Sequence, residues 1–330
     1  MNYLSRDDIE SAQRTVYQSL QPTPQIAWPL LGQRLGAEVW VKHENHSPVG
    51  AFKLRGGLVY VPALLQREPG CQGLISATRG NHGQSLAFAA RLHAVSCTIV
   101  VPHGNSLEKN AAMRALGAEL IEHGSDFQQS REHAAVLARE RGLHFVPSFH
   151  RDLVRGVASY WVEFFQAVQP AVVFVPVGMG SGIVACAAAR HFTGVKTRIN
   201  GVVSAHATAY QDSFRAGRVL EAPVSTVLAD GLACRLPDAE ALAWICKEVH
   251  DVISVTDDEV AAAMRALFAD THNVAEGAGA ASLAAALQQR AQWRGQQVGV
   301  TLCGGNVDSA VFARVLAQTA SPGAAGHGHD

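Results

Sequence analysis

The chain has 330 residues, 48% hydrophobic and 17% charged, the profile of a globular protein long enough for two lobes but not for extra modules. Lysine and arginine total 27 against 28 acids, for a net charge of −1, and no block of like charge marks a nucleic-acid or membrane surface. No window approaches the ~18 apolar residues of a spanning helix, and Met1 to Asp8 has no basic stretch leading into an apolar run, so a soluble, cytoplasmic protein is expected.

Along the chain, 7–19 has the acidic first turn and apolar spacing of a helix, stopped by Gln21-Pro22-Thr23-Pro24. A strand at 38–42 precedes Gly50-Ala51-Phe52-Lys53-Leu54-Arg55-Gly56-Gly57, which opens a helix to about 65. Then strands at 74–76, 97–101 and 119–121 alternate with helices at 84–92, 107–116 and 127–141. After a short apolar run at 144–146 come helix 153–168, strand 171–175, helix 183–191 and strand 198–203. An irregular part spans 205–237, followed by strand 252–255, helices 257–270 and 277–289, strand 297–302 and a final helix. Short apolar runs alternating with helical stretches predict an α/β protein whose parallel sheets are flanked by helices. The Ala/Gly/His tail, 320–330, is expected to be disordered.

Four stretches carry chemistry. Lys53 lies between an aromatic residue and a glycine pair; a lysine amine becomes a nucleophile or base only where its surroundings remove the proton. The polar loop Ser76-Ala77-Thr78-Arg79-Gly80-Asn81-His82-Gly83-Gln84-Ser85 follows an apolar run and opens an alanine-rich helix. Val175-Pro176-Val177-Gly178-Met179-Gly180-Ser181-Gly182 and Thr301-Leu302-Cys303-Gly304-Gly305-Asn306-Val307-Asp308 each join a strand to a helix through glycines. A strand, a glycine loop and a helix N-terminus together gather an anion on backbone N–H groups. The spacing matches neither the dinucleotide fingerprint nor the Walker loop.

In this order and spacing, the motifs resemble the fold-type II family of pyridoxal-phosphate enzymes, most closely its serine/threonine dehydratase and serine racemase branch, from about Thr23 to about Val315. The resemblance implies a two-lobed, tryptophan synthase beta-like α/β fold, with a large cofactor-binding domain of 1–53 and 152–319 and a small domain of 54–151. It leaves no room for a C-terminal amino-acid-sensing domain. It implies pyridoxal 5'-phosphate as cofactor, an amino-acid substrate and a homodimer.

The same resemblance distributes the roles. Lys53 forms the Schiff base with the cofactor and then removes the substrate's α-proton, while Phe52 packs on the cofactor ring. Asn81 hydrogen-bonds the ring hydroxyl or, alternatively, caps the helix that follows it. Thr78, Arg79 and His82 lie where the family grips the substrate carboxylate. Gly178, Met179, Gly180, Ser181 and Gly182 wrap the phosphate. Cys303 faces the pyridine nitrogen as a neutral thiol, which favours loss of a β-substituent over transamination. Glu276 is either an acid near the cofactor and substrate or an acid at a helix start.

The implied activity is a dehydratase, or ammonia-lyase, that eliminates water from a β-hydroxy-α-amino acid to give a 2-oxo acid and ammonia. A racemase, a β-replacing synthase and a non-catalytic cofactor-binding protein remain as alternatives. Arg79 stands where the racemase has a proton-donating serine, and a guanidinium, which keeps its proton in proteins, is a poor donor; racemisation is therefore expected to be minor. Arg79 fits an α-carboxylate or a side-chain carboxylate equally, so threonine, serine, β-hydroxyaspartate, phenylserine and a hydroxyectoine breakdown product all stay open. Ser204 and Tyr210 stand where relatives with a divalent-cation site place carboxylates, so no metal is expected. The fifteen histidines show no HExxH pattern, and the six cysteines (Cys71, Cys97, Cys186, Cys234, Cys246 and Cys303) have no CxxC spacing, which predicts mostly buried thiols.

Overall fold

The structure, a computed structural model, describes residues 3–318. The tail expected to be disordered lies outside the described residues. In chain order the elements begin α1 (Arg6–Val16), β1 (Gln25–Ala27), α2 (Pro29–Leu35), β2 (Glu38–His43) and α3 (Lys53–Arg67). Next come β3 (Leu74–Ala77), α4 (Asn81–Leu92), β4 (Cys97–Val101), α5 (Leu107–Ala115), β5 (Glu119–Glu122), α6 (Phe127–Arg141) and β6 (His144–Phe145). The chain continues through α7 (Arg151–Ala167), β7 (Val172–Pro176), α8 (Ser181–Thr193), β8 (Arg198–Ser204), α9 (Ala209–Ala216) and α10 (Ala239–Glu248). It ends with β9 (Asp251–Val255), α11 (Asp257–Thr271), α12 (Gly277–Gln288), β10 (Gln297–Leu302) and α13 (Ser309–Ala317).

The strands form two sheets, one of six in the order β1-β2-β10-β7-β8-β9 and one of four in the order β5-β4-β3-β6. Every pairing is parallel except β1 with β2. Each central strand is apolar on both faces, as a covered parallel sheet demands. In β7, Val173 and Val175 turn to a core with Trp161 and Phe165 of α7 and Ile183 of α8, while Val172 and Phe174 turn to one with Leu31, Met264 and Leu283. In the four-stranded sheet, Leu74, Ile99 and Val101 pack with Tyr60, Leu86 and Met113, whereas Ile75, Ala77 and Val100 meet Ala134 and Ala138 of α6.

Three expectations need correction. β1 and α2 occupy 25–35, where no element is predicted: β1 has only three residues between prolines and draws its order from pairing with β2. α9 lies inside the stretch expected to be irregular, and α10 fills a gap, capped by Asp238, whose side chain accepts from the N–H groups of Glu240 and Ala241. α4 begins at Asn81, not 84, with Gly80 as its N-cap.

Beneath the first turn of α3 lies a buried charge cluster. Arg55, 0% exposed, donates to Glu44 at 2.8 and 3.0 Å, to Glu163 at 2.6 and 3.1 Å, and to Ser159 at 2.9 Å. Lys42 reaches Glu163 at 2.5 Å and the Thr23 carbonyl at 2.6 Å. Two cations match two anions, and the cluster ties α3 to β2 and α7 two residues beyond Lys53.

Candidate active site

Loops at the carboxyl ends of β3, β7 and β10 surround one cavity, the position where parallel α/β sheets place ligands. Every candidate singled out above lines it: Phe52, Lys53, Thr78, Arg79, Asn81, His82, Gly178, Met179, Gly180, Ser181, Gly182, Glu276 and Cys303. The lysine segment is stitched to the loop after β10, with Phe52 N donating to Cys303 O at 2.9 Å and Gly305 N to Gly50 O at 2.9 Å.

Lys53 is the first residue of α3, and its Nζ donates to Ser181 Oγ at 2.9 Å and lies 5.0 Å from the Phe52 ring centre. Burial pushes its pKa down to about 8, so a large fraction is neutral just above neutral pH. Phe52 itself packs edge-on against Tyr160.

Ser181 opens the 13-residue α8, whose N-cap Gly180 supplies no side-chain bond, so the first-turn N–H groups face the cavity without a capping side chain. Gly180 has φ +95, which favours glycine, and a Cβ on Gly178 would sit 2.3 Å from the Gly231 carbonyl. The Tyr210 hydroxyl donates to the Met179 carbonyl at 3.1 Å, so this side chain supports the glycine loop. Among the described residues, no group of three or more His, Cys, Asp or Glu side chains is placed to hold a metal.

The Asn81 side chain does not cap α4. Its Nδ2 donates to Glu276 Oε1 at 2.6 Å, and its Oδ1 accepts from Asn306 at 2.8 Å. Glu276 is the N-cap residue of α12 but makes no capping bond; its carboxylate turns to Asn81 and Lys109. Burial raises the Glu276 pKa, opposed chiefly by the Lys109 charge. Burial, assisted by Lys53, drives His82 down to about 3, so its ring is neutral. Burial also pushes the Cys303 thiol up, and its Sγ donates to the Ala278 carbonyl at 3.6 Å. Arg79 Nε, His82 Nε2 and Glu276 Oε2 are buried without hydrogen bonds.

Lys109, Asp230, Phe127 and Ser148 also line the cavity and belong to none of the four motifs. Lys109 Nζ meets Asp230 at 2.8 Å and Glu276 at 3.4 Å. Burial alone would lower Lys109, but Glu276 and Asp230 outweigh it and hold its pKa above the ordinary lysine value. The one sequence signal here was the Asp230-Gly231 pair, a turn signature in an otherwise featureless stretch.

The family model described as "Pyridoxal-phosphate dependent enzyme" matches residues 16–304. The chain belongs to this family. It is 35% identical over 286 residues to an L-threonine ammonia-lyase of Geobacter sulfurreducens, covering 86% of this chain and 71% of that one. It is 30% identical over 311 residues to an L-threo-3-hydroxyaspartate ammonia-lyase of Saccharomyces cerevisiae, covering 94% and 95%. The processed form of threonine deaminase isoform 2 from Solanum lycopersicum superposes with a TM-score of 0.87 at 26% identity, over 94% of this chain and 86% of that one. The family's cofactor fits the residues present: an amine at Lys53 whose pKa burial lowers, a glycine cradle at an uncapped helix start, and unpartnered polar atoms on Arg79 and His82, which line the same cavity.

Proposed function

We propose that the protein is an ammonia-lyase that removes water from a β-hydroxy-α-amino acid and releases a 2-oxo acid and ammonia. The observation that carries this reading is Lys53, a buried amine with its pKa lowered to about 8, set beside Ser181 at the glycine loop. Bound in the cavity, pyridoxal phosphate supplies the electron sink that makes the substrate's α-proton removable.

The chain's own groups do the rest. The 178–182 loop and the α8 N-terminus hold the phosphate through backbone N–H groups. Asn81 would donate to the ring hydroxyl, and Cys303, kept as a neutral thiol, would offer the ring nitrogen no carboxylate. Thr78, Arg79, His82 and the uncapped start of α4 bind the substrate carboxylate. Lys53 would take the α-proton and hydroxide would leave the β-carbon, the two together making up the water lost; the released enamine then takes up one water to give the 2-oxo acid and ammonia. Positioned proton transfer is worth roughly 10²–10⁴-fold.

The reading extends to a small lobe of 54–151 around the four-stranded sheet and a large lobe of 1–53 and 152–319 around the six-stranded one, to a homodimer, and to a cytoplasmic location. No helix among the described residues is long and apolar enough to cross a membrane. The test is release of ammonia and 2-oxo acid from L- and D-serine, threonine, β-hydroxyaspartate and phenylserine, with Lys53→Ala alongside. Release abolished in the variant supports the lyase and names its substrate; silence across the panel from protein without bound cofactor overturns it.

A further inference from the structure

Lys109 bridges segments that lie on two sides of the cavity. Its helix, α5, follows a strand of the four-stranded sheet, whereas Asp230 and Glu276 sit on segments packed against the six-stranded sheet. The start of α5 is fastened across the same divide by Ser106 to Asp308 and by Ser309 to Glu108.

The hydrogen bonds running from Val49 to Glu276 fix the orientation of two amides. Asn306 Nδ2 donates to the Val49 carbonyl at 2.8 Å, an obligate acceptor, and to Asn81 Oδ1 at 2.8 Å. Asn81 must therefore turn Nδ2 to Glu276, which has to accept. A proton on Oε1 would make it a weaker acceptor for Asn81 than the ionised carboxylate. A proton on Oε2 would face an ammonium 3.4 Å away that has three N–H groups and no acceptor. Oε2 is buried and makes no hydrogen bond, so the charge of Lys109 is what compensates it.

We infer that Lys109 is a positioning residue: its ammonium keeps Glu276 ionised, and the ionised carboxylate anchors the Asn81 amide that Asn306 orients, so that the second Nδ2 hydrogen is left for a group in the cavity. What that group is rests on the proposed function; the proton on Glu276 does not. The other charged or titratable groups acting on Glu276 are Asp230, which favours the protonated form as burial does, and Cys303, which burial keeps as a thiol. Because Lys109 arrives on α5, the orientation of Asn81 is tied to the seating of that helix.

The test is pH-dependent infrared spectroscopy of the purified holoprotein. Lys109→Met is expected to gain a protonated-carboxyl band at neutral pH, with its midpoint raised by about 1–3 pH units, the effect of losing a close opposite charge. The band is absent in the wild type and Lys109→Arg, and is lost again in Lys109→Met/Glu276→Gln. The absorbance of the bound cofactor shifts over the same pH range as the band. If Lys109→Met does not fold, Asp230→Asn takes its place and is expected to move the Glu276 midpoint downward. A band missing from Lys109→Met, a band surviving in the double variant, or an unmoved midpoint in Asp230→Asn overturns the inference. The expected band in Lys109→Met with no ammonia release from the wild type supports the inference and sinks the lyase reading; ammonia release from the wild type without the band in Lys109→Met does the reverse.

Discussion

Replacing Arg55 with methionine removes the cation shared by Glu44 and Glu163 while keeping a side chain of similar reach. Six hydrogen bonds from the guanidinium disappear, and a buried cluster of two positive and two negative groups becomes net negative with Lys42 alone to balance it. Breaking a buried pair from one side costs about 3–5 kcal/mol, because the other charge is stranded. The pH dependence separates charge from packing. Burial would raise the Glu163 carboxyl, but Arg55 and Lys42 outweigh it and hold it below its ordinary value of 4.5. A depressed carboxyl contributes stability that is present above its unfolded pKa and lost as pH falls through the folded one. The deficit of Arg55→Met should therefore be full at neutral pH and shrink as the pH falls toward and below 4.5. Urea midpoints of wild type and variant, followed by tryptophan fluorescence across that range, measure it. A deficit under ~1 kcal/mol at neutral pH, well short of a stranded buried charge, or one constant with pH would refute the charge argument. Arg55→Lys should fall between, since an ammonium cannot span both carboxylates.

Other consequences follow from the cavity. Only a neutral amine attacks a carbonyl, so the rate at which Lys53 in cofactor-stripped protein reacts with aldehydes should titrate near pH 8; a midpoint at the ordinary 10.5 contradicts the burial argument. Gly178→Ala places a Cβ 2.3 Å from a backbone oxygen, and the strain of such overpacking, about 1–3 kcal/mol, should weaken cofactor binding about tenfold or more in an absorbance titration; an unchanged dissociation constant removes Gly178 from the cradle. A thiol reagent should label the exposed Cys246 in the native protein and reach Cys186 and Cys303 only on unfolding. Fast native labelling of Cys303 would show that its thiol is not enclosed. Chelation should leave activity intact, since among the described residues no group of three or more His, Cys, Asp or Glu side chains is placed to hold a metal; loss of activity restored by magnesium would count against this.

Much of the fold is legible because its strands are buried on both faces. Val172 to Pro176 has to be apolar throughout, and a glycine loop has to follow if backbone N–H groups are to face a ligand. The site's motifs are legible for the same local reason. The charge pairs are not, because their partners are far apart along the chain: Lys109 and Asp230 are 121 residues apart, Arg55 and Glu163 108. A lone lysine such as Lys109 looks like any solvated lysine until α5 is placed across the cavity. α10 is a different kind of omission, since Asp238 ahead of Ala241, Leu242 and Ile245 is a legible cap and apolar spacing. β1 carries no such signal.

The distribution of proton-handling groups around the cavity bears on which reaction the scaffold favours. Inverting the α-carbon needs two groups that exchange a proton near neutrality, one on each face. Lys53 meets that requirement on its side, with a pKa near 8. The loop that carries Thr78 to His82 offers no counterpart. The His82 ring, driven down to about 3, carries no proton to spare on Nε2 at neutral pH if its other nitrogen serves the backbone of Pro147. Thr78 Oγ1 accepts from Gly80 N at 3.0 Å, and a guanidinium at Arg79 keeps its proton. A one-sided base removes the α-proton but has no partner to return it from the opposite face, and expulsion of the β-hydroxyl then becomes the faster exit. Substituting serine for Arg79 supplies a hydroxyl on that loop, and the ratio of D-amino acid formed to ammonia released should rise; a ratio that stays fixed would place the second proton donor elsewhere in the cavity.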